Sequence, residues 1–184
     1  MVIRLSGCKG FTLVELMMVL AIGLVLQAVA VPALSAALDS MRLSAVSQSL
    51  FLSLQLTRSE AIKRGGRVVL CKSASGADCT RVGGWEQGWI VFHDRNNNAR
   101  VDVGEAILQH EQSLGAAVRL SGNNLVESYV SYTPLGNASM TGGGMQMGTL
   151  TVCQPAATRV PARQIVISSS GRARTQKVKL DHCT

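Results

Sequence analysis

Lys9-Gly10-Phe11-Thr12-Leu13-Val14-Glu15-Leu16 is the stretch that decides the fold, because a long apolar run starts inside it. From Phe11 to Val31 the chain carries one formal charge, on Glu15, among apolar and small side chains. As a helix with a rise of about 1.5 Å per residue, this run spans about 31 Å, enough to cross a hydrocarbon core. We therefore predict a transmembrane helix over about 11–31, preceded by a short basic leader, residues 1–10.

The carboxylate inside this run indicates a function. A carboxylate at membrane depth costs roughly 2.5–3.5 kcal/mol on insertion scales, and it is tolerated when a cation pairs with it. An ordinary secretory signal does not fit, because no Ala-x-Ala-like site follows the apolar run and Gly10-Phe11 lies before it.

This N-terminus resembles that of the type IV pilin and pseudopilin family, with Pro32 in the place of the family's helix kink. The resemblance implies that a prepilin peptidase cuts after Gly10 and that Phe11 becomes the N-methylated first residue of a filament subunit. It also implies that Glu15 meets the N-terminal amine of a neighbouring subunit. A plain single-pass anchor with an incidental glutamate is the alternative.

Charge and cysteine usage indicate a one-domain extracytoplasmic protein. The 184-residue chain has a formal net charge of +7, and loss of the leader would remove Arg4 and Lys9. Those leader charges are expected on the cytoplasmic side of the apolar run. We therefore expect a single-pass protein of a bacterial inner membrane whose head lies in the periplasm and later in a filament.

Four cysteines lie outside the leader, which fits an oxidising compartment, and four cysteines allow three pairings. We favour Cys71–Cys79, which closes a short loop, and Cys153–Cys183, which ties down the C-terminus. A zinc site is the weaker alternative, because neither spacing is CxxC and no histidine lies beside these residues.

The apolar pattern predicts a helix over 11–64 that ends at Gly65-Gly66. Beyond Pro32 it has two apolar stripes, which suits a helix that packs both on its own domain and on neighbours in a filament. The stripes are Leu34, Leu38, Met41, Ala45, Leu52 and Leu56, and Leu43, Val46, Leu50, Leu54 and Ile62.

After Gly66 the pattern changes to short strands and turns. Seven strands are predicted, at 67–71, 88–93, 106–110, 117–120, 126–132, 146–153 and 163–168. The predicted fold class is therefore α+β, a long N-terminal helix with a transmembrane first half and an antiparallel β-sandwich head over 65–184, which is the pilin fold.

The head resembles the H-type pseudopilin and FimT/FimU minor pilin branch. The matching stretches are Arg58-Ser59-Glu60-Ala61, Gly84 to Asp94 with Asn96, Asn98, Asp102 and Gly104-Glu105, Tyr132 to Gly136, and Ile165 to Ser168 before Gly171-Arg172. The resemblance implies a minor type IV pilin that primes or decorates the pilus tip with other minor and major pilins. An H-type pseudopilin of a type II secretion system is the alternative.

No enzyme motif is visible, and we expect no cofactor. One segment imitates a calcium loop, because five oxygen-bearing side chains match places 1, 3, 5, 9 and 12 of the EF-hand spacing. Place 6, which needs Gly, is Ala99, so a hairpin loop with Asx turns and no metal is favoured. The five residues are Asp94, Asn96, Asn98, Asp102 and Glu105.

The C-terminal segment carries the clearest charge cluster, with six basic side chains from Arg159 onward against Asp181 alone. Within it, Gly171-Arg172-Ala173-Arg174 matches the Gly-Arg-x-Arg motif of DNA-binding FimT-type minor pilins. The match implies DNA as a partner, in natural transformation. A solvated basic strand edge and a contact to another pilin are the alternatives.

The residue types suit a phosphate backbone. Gly171 permits a tight turn and close approach to a phosphate, and Arg172 and Arg174 offer planar forks. Lys177 and Lys179 add point charges, and no aromatic residue interleaves them. We therefore expect recognition without sequence preference, with a log–log salt slope of roughly −3 to −4 if all four cations meet phosphates.

Overall fold

The computed structural model describes residues 10–155 and 160–183. The predictions about the rest of the leader, with Lys9, and about Arg159 lie outside the described residues. The chain divides into two compact units, of which the first ends at Asp39 and the second begins at Ser40. This boundary falls inside the long helix, and below we call the second unit the head.

Helix α1 spans Leu13–Arg64 and continues through Pro32. Among the described residues it is the one helix long and apolar enough to cross a membrane, with an 18-residue window of mean hydropathy 2.4. The helix ends because Gly65 takes a φ of 59°, a left-handed conformation that favours glycine. The N–H groups of Gly65 and Gly66 then donate to the carbonyls of Ile62 and Ala61.

The head contains two four-stranded antiparallel sheets, in the orders β3-β2-β1-β5 and β4-β6-β7-β8. The strands are β1 Val68–Lys72, β2 Trp89–His93, β3 Ile107–Glu111, β4 Arg119–Gly122, β5 Tyr129–Tyr132, β6 Gly148–Cys153, β7 Val160–Ile167 and β8 Ala173–Leu180. A helix followed by a two-sheet head confirms the predicted fold class.

The main core is shared by α1 and both sheets. Trp85 and Trp89 are buried in it, and their indole N–H groups donate to the carbonyl of Val126 and to Ser53 Oγ, at 3.1 and 2.9 Å. Four residues of one helix stripe are also buried, namely Leu43, Val46, Leu50 and Leu54.

Ile62, in the same stripe, is 52% exposed, so this stripe is not buried along its whole length. The other stripe stays mostly solvent-exposed, as Met41 and Leu52 show. In the described head, one apolar face of the helix is therefore used by the core and the other has no partner.

The prediction of seven strands missed β8. All eight residues of β8 pair with β7, from Ala173 opposite Ile167 to Leu180 opposite Val160. The strand escaped detection because Thr, Gln, Lys and Arg fill most of its positions and give no regular alternation of apolar side chains. It is an edge strand, so the basic segment forms one margin of the second sheet.

Candidate nucleic-acid interface

The Gly-Arg-x-Arg segment lies at the turn between β7 and β8. The N–H of Gly171 donates to the carbonyl of Ser168 at 2.9 Å, and the N–H of Ser168 donates to the carbonyl of Arg172 at 3.0 Å. Gly171 has a φ of 76°, which L side chains rarely adopt. The turn therefore depends on glycine at this position.

Gly171 is buried, and its close approach is to the protein itself. A Cβ built on Gly171 would collide with the carbonyl oxygen of Gly136. The reason expected for this glycine was close approach to a phosphate. In the structure the missing side chain allows the turn to pack on the loop that follows β5.

Arg58 of α1 holds both pieces of this contact. Its Nε donates to the carbonyl of Gly136 at 2.9 Å, and its Nη2 donates to the carbonyl of Ser170 at 3.2 Å. Arg58 entered the sequence analysis as part of a resemblance, and its role in positioning the turn was missed. The structure thus fixes the turn to the helix through one guanidinium.

The four cations of β8 and its turn do not share one face of the sheet. Ala173 packs against the main core, whereas Val178 and Leu180 pack beside Cys153 in a separate cluster. Side chains alternate along a strand. Lys177 and Lys179 therefore lie on the face of Ala173, and Arg174 lies on the opposite face.

These side chains are exposed and free. None of Arg172, Arg174, Lys177 and Lys179 has a side-chain hydrogen bond or ion pair with any residue in 10–155 or 160–183. Lys177 also lies opposite Arg163 in the β7–β8 register, where like charges repel. The arrangement is an edge strand with uncompensated positive charge on both faces, which attracts phosphate oxygens and disfavours pairing with a second basic strand.

Glu15 lies in the first unit, where it caps its own helix. The N–H and Oγ1 of Thr12 donate to Glu15 Oε2 at 3.0 and 2.9 Å. The N–H of Glu15 in turn donates to Thr12 Oγ1 at 3.3 Å. This reciprocal pair is a capping box, which satisfies free N–H groups at a helix start. Gly10 and Phe11 precede it and are exposed.

Two disulfides are present in the head, with the favoured pairing. We call Cys71–Cys79 the loop disulfide and Cys153–Cys183 the C-terminal disulfide, which close sequence separations of 8 and 30 residues. The C-terminal disulfide lies in the same cluster as Val178 and Leu180 and so fastens the far end of β8 to β6.

The segment that imitates a calcium loop, here called the 94–105 loop, is satisfied by its own hydrogen bonds. Asp94 is buried and accepts from the N–H groups of Asn98 and Ala99. The amides of Asn96 and Asn98 donate to Asp102 and hold the pKa of that carboxyl below its usual range. Among the described residues no group of three or more His, Cys, Asp or Glu side chains is placed to hold a metal ion.

The lack of glycine at place 6 does not prevent the sharp turn that a calcium loop needs. Ala99 has a φ of 54° and so adopts the left-handed conformation that the motif assigns to glycine. The backbone therefore makes the sharp turn without glycine, and the case against calcium rests on the internal hydrogen bonds of the 94–105 loop.

Comparison with known proteins supports the pilin and pseudopilin resemblance for both the N-terminal segment and the head. Residues 46–171 match the family model described as "Type II transport protein GspH", and residues 5–31 match the "Prokaryotic N-terminal methylation motif". A "Pilin-like protein PilA1" of Thermus thermophilus is 31% identical over 172 residues, which is 91% of this chain and 98% of the relative.

Solved structures show the same fold. The type IV minor pilin FimU of Pseudomonas aeruginosa aligns with a TM-score of 0.58 at 18% identity, over 79% of this chain and 98% of that chain. The minor pseudopilin EpsH of the Vibrio cholerae type 2 secretion system aligns with a TM-score of 0.47 at 10% identity, over 73% and 96% of the two chains. The EpsH similarity is too low to support an argument.

Proposed function

Because the chain belongs to the type IV pilin and pseudopilin family, with a head of the GspH type, we propose that it is a minor type IV pilin whose head binds DNA. The observation that supports DNA binding is the exposed and unpaired set of cations along β8 and its turn. The subunit has a structural role, in which it primes or decorates the pilus tip with other minor and major pilins.

The N-terminal helix supports the filament role. Its first unit is an exposed apolar segment long enough to anchor the chain in the inner membrane, with the head in the periplasm. In the head the exposed stripe with Met41 and Leu52 offers a second apolar face to neighbouring helices. Prepilin peptidase would cut between Gly10 and Phe11, so Gly10→Trp should leave a larger band on a denaturing gel.

Glu15 gives a sharper test of assembly, because capping and ion pairing can be separated. Gln at this position can still take part in a capping box, but it cannot pair as an anion with an amine. We expect Glu15→Gln and Glu15→Ala both to insert into the membrane and both to fail to enter sheared pili. Normal incorporation of Glu15→Gln would show that the cap, and not the charge, is what Glu15 contributes.

The DNA role is tested on the head, residues 40–184, whose buried core starts at Leu43. We expect binding to duplex DNA of any sequence at low salt, measured by fluorescence anisotropy. Arg172→Gln with Arg174→Gln should abolish most binding without changing the circular dichroism spectrum. The matched control is Arg42→Gln with Arg81→Gln, which removes two exposed charges elsewhere. Equal binding by the first pair would refute the role.

The salt dependence distinguishes two ways for DNA to approach. Each phosphate contact contributes about −0.9 to the log–log slope on duplex DNA. A duplex that meets only Arg172 and Arg174 would give a slope of about −1.8. A duplex lying along the strand edge would also meet Lys177 and Lys179 and give about −3.6.

A pseudopilin of a type II secretion system is the second candidate, and the match to the GspH family model favours it. Such a subunit would belong to a short periplasmic filament that pushes out folded exoproteins. Deletion of the gene separates the two roles. Loss of exoprotein secretion with intact pili would favour the pseudopilin, and recovery of the protein in sheared surface pili would favour the minor pilin.

A further inference from the structure

A cleft of about 350 Å³ opens beside the C-terminal end of α1, and its lining includes three arginines and a histidine. Arg64 and Arg67 contribute from the helix end and from just before β1, while His93 ends β2 and Arg95 follows it. These residues are far apart in the sequence, and none belongs to the Gly-Arg-x-Arg segment. The topology alone brings them together.

Arg67 supplies a fixed and uncompensated charge. Its Nη1 donates to Ser131 Oγ at 2.7 Å and to the carbonyls of Ser139 and Met140 at 2.8 and 3.3 Å. All three acceptors are neutral, and its Nε is buried without a hydrogen-bond partner in the described part of the chain. The guanidinium therefore adds positive potential to the cleft, and in the described part of the chain no carboxylate forms an ion pair with it.

Arg95 and His93 supply free donors. Within the described ranges neither side chain makes a hydrogen bond or an ion pair. Arg95 is exposed, and the His93 ring stands so close to Gly66 that a Cβ there would lie 2.5 Å from its Nε2. Arg64 is different, because its Nε donates to Glu60 at 2.6 Å, and that ion pair holds the pKa of Glu60 below its usual range.

Asp94 also lines the cleft, so one negative charge lies among these cations, but its carboxylate is buried and hydrogen-bonded. Asp94 is 1% exposed, and its two oxygens accept from the N–H groups of Asn98 and Ala99. Glu105 accepts from the N–H of Arg95 at 2.7 Å. The helix C-terminus disfavours an anion, but the N–H groups of Gly65 and Gly66 cover two of its carbonyls. The free charged groups that face the cleft are therefore cationic.

We propose that this cleft binds a phosphate group, and that in the DNA-bound head this is a second phosphate of the backbone. Pro134 lines the cleft and also lines the neighbouring cavity that Ser169 and Ser170 of the β7–β8 turn line. The loop after β5 thus connects the cleft to the Gly-Arg-x-Arg turn. The second half of the proposal rests on the proposed DNA role, and the first half does not.

Inorganic phosphate tests the first half. The full chain in uncharged detergent micelles, labelled with ¹⁵N arginine and histidine, is titrated at constant ionic strength with chloride as the reference ion. Saturable shifts are expected at the Arg95 Nε–H and the His93 ring nitrogens. Arg95→Gln should weaken binding about tenfold, the loss expected for one charge-assisted hydrogen bond. Arg100→Gln, exposed on the same loop but lining a different cavity, should change nothing.

Three results would overturn the phosphate site. The first is the absence of any saturable shift at Arg95 or His93, and the second is equal phosphate affinity in Arg95→Gln and the unaltered chain. A loss of affinity in Arg100→Gln as large as that in Arg95→Gln would reduce the effect to net charge, which also overturns a site at the cleft.

Duplex DNA tests the second half and separates it from the proposed function. Arg95→Gln should lower the magnitude of the log–log salt slope by about one, while Arg100→Gln leaves it unchanged. An unchanged slope in Arg95→Gln would mean that the cleft takes free phosphate and not DNA. If the unaltered chain shows phosphate shifts but no DNA affinity, the DNA role fails and the site remains. If DNA binds through Arg172 and phosphate causes no shift, the site fails and the DNA role remains.

Discussion

Replacing Gly171 by alanine should destabilise the head more than a glycine replacement at an open turn would. Two costs combine at this residue. A left-handed conformation costs an L residue roughly 1–2 kcal/mol, and overpacking typically costs a further 1–3 kcal/mol. Because the new Cβ would collide with the carbonyl oxygen of Gly136, Gly171→Ala should lower the free energy of unfolding by about 2–5 kcal/mol.

Gly143→Ala is the matched control. Gly143 has a φ of 88°, but a Cβ there has no heavy atom within 4 Å. The control therefore carries the conformational cost alone, about 1–2 kcal/mol, and the same change in the entropy of the unfolded chain. Urea unfolding of the head, followed by circular dichroism, measures both variants under one condition. A loss in Gly171→Ala no larger than that in Gly143→Ala would refute the packing role of the turn.

Three further outcomes are expected. Tyr132→Phe should keep or raise stability at neutral pH by up to about 1 kcal/mol, because the buried Tyr132 hydroxyl has no partner in the described part of the chain. Burial also raises the pKa of this phenol above its unfolded value of about 10. The free energy of unfolding is therefore unaffected by this group below that pH and falls as pH rises further, because the unfolded chain ionises first. Alkaline unfolding curves should therefore be flatter in Tyr132→Phe, and identical curves would contradict this cause. Opening the C-terminal disulfide by serine substitution should cost about 3.5 kcal/mol in denaturant, against about 2.5 for the loop disulfide, since loop entropy grows with the closed length. The Tm of the head should be the same in millimolar calcium and in a chelator. A higher Tm in calcium would indicate that the 94–105 loop is a metal site.

The sequence allowed the fold to be predicted because its strongest signals are local. The apolar run with Glu15, the glycine pair after Arg64 and the change to short alternating segments each determine an element without reference to the rest of the chain. The pattern did not show which of the two helix stripes is buried, because that depends on contacts with strands far away in the sequence.

The candidate site depends on register and on contacts between distant residues, which are not encoded locally. The basic segment contained the right residues, but β8 lacks the apolar alternation that marks a strand. The distribution of its cations over two faces follows only from its pairing with β7. In the same way, Arg58 and Gly171 are 113 positions apart, and no local pattern indicates that Arg58 fixes the turn that contains Gly171.

The anchoring of the turn has a consequence for binding. A cation on a mobile loop loses conformational freedom when it meets a phosphate, and that loss is subtracted from the affinity. The Arg58 guanidinium joins the carbonyls of Gly136 and Ser170, so the backbone beside Arg172 is already fixed to α1 before any ligand arrives. The arginine motif therefore contributes charge, and the helix contributes its position. On this argument the sequence match to Gly-Arg-x-Arg is insufficient by itself, because the same four residues without Arg58 and Gly136 would present the same charges on an unfixed turn.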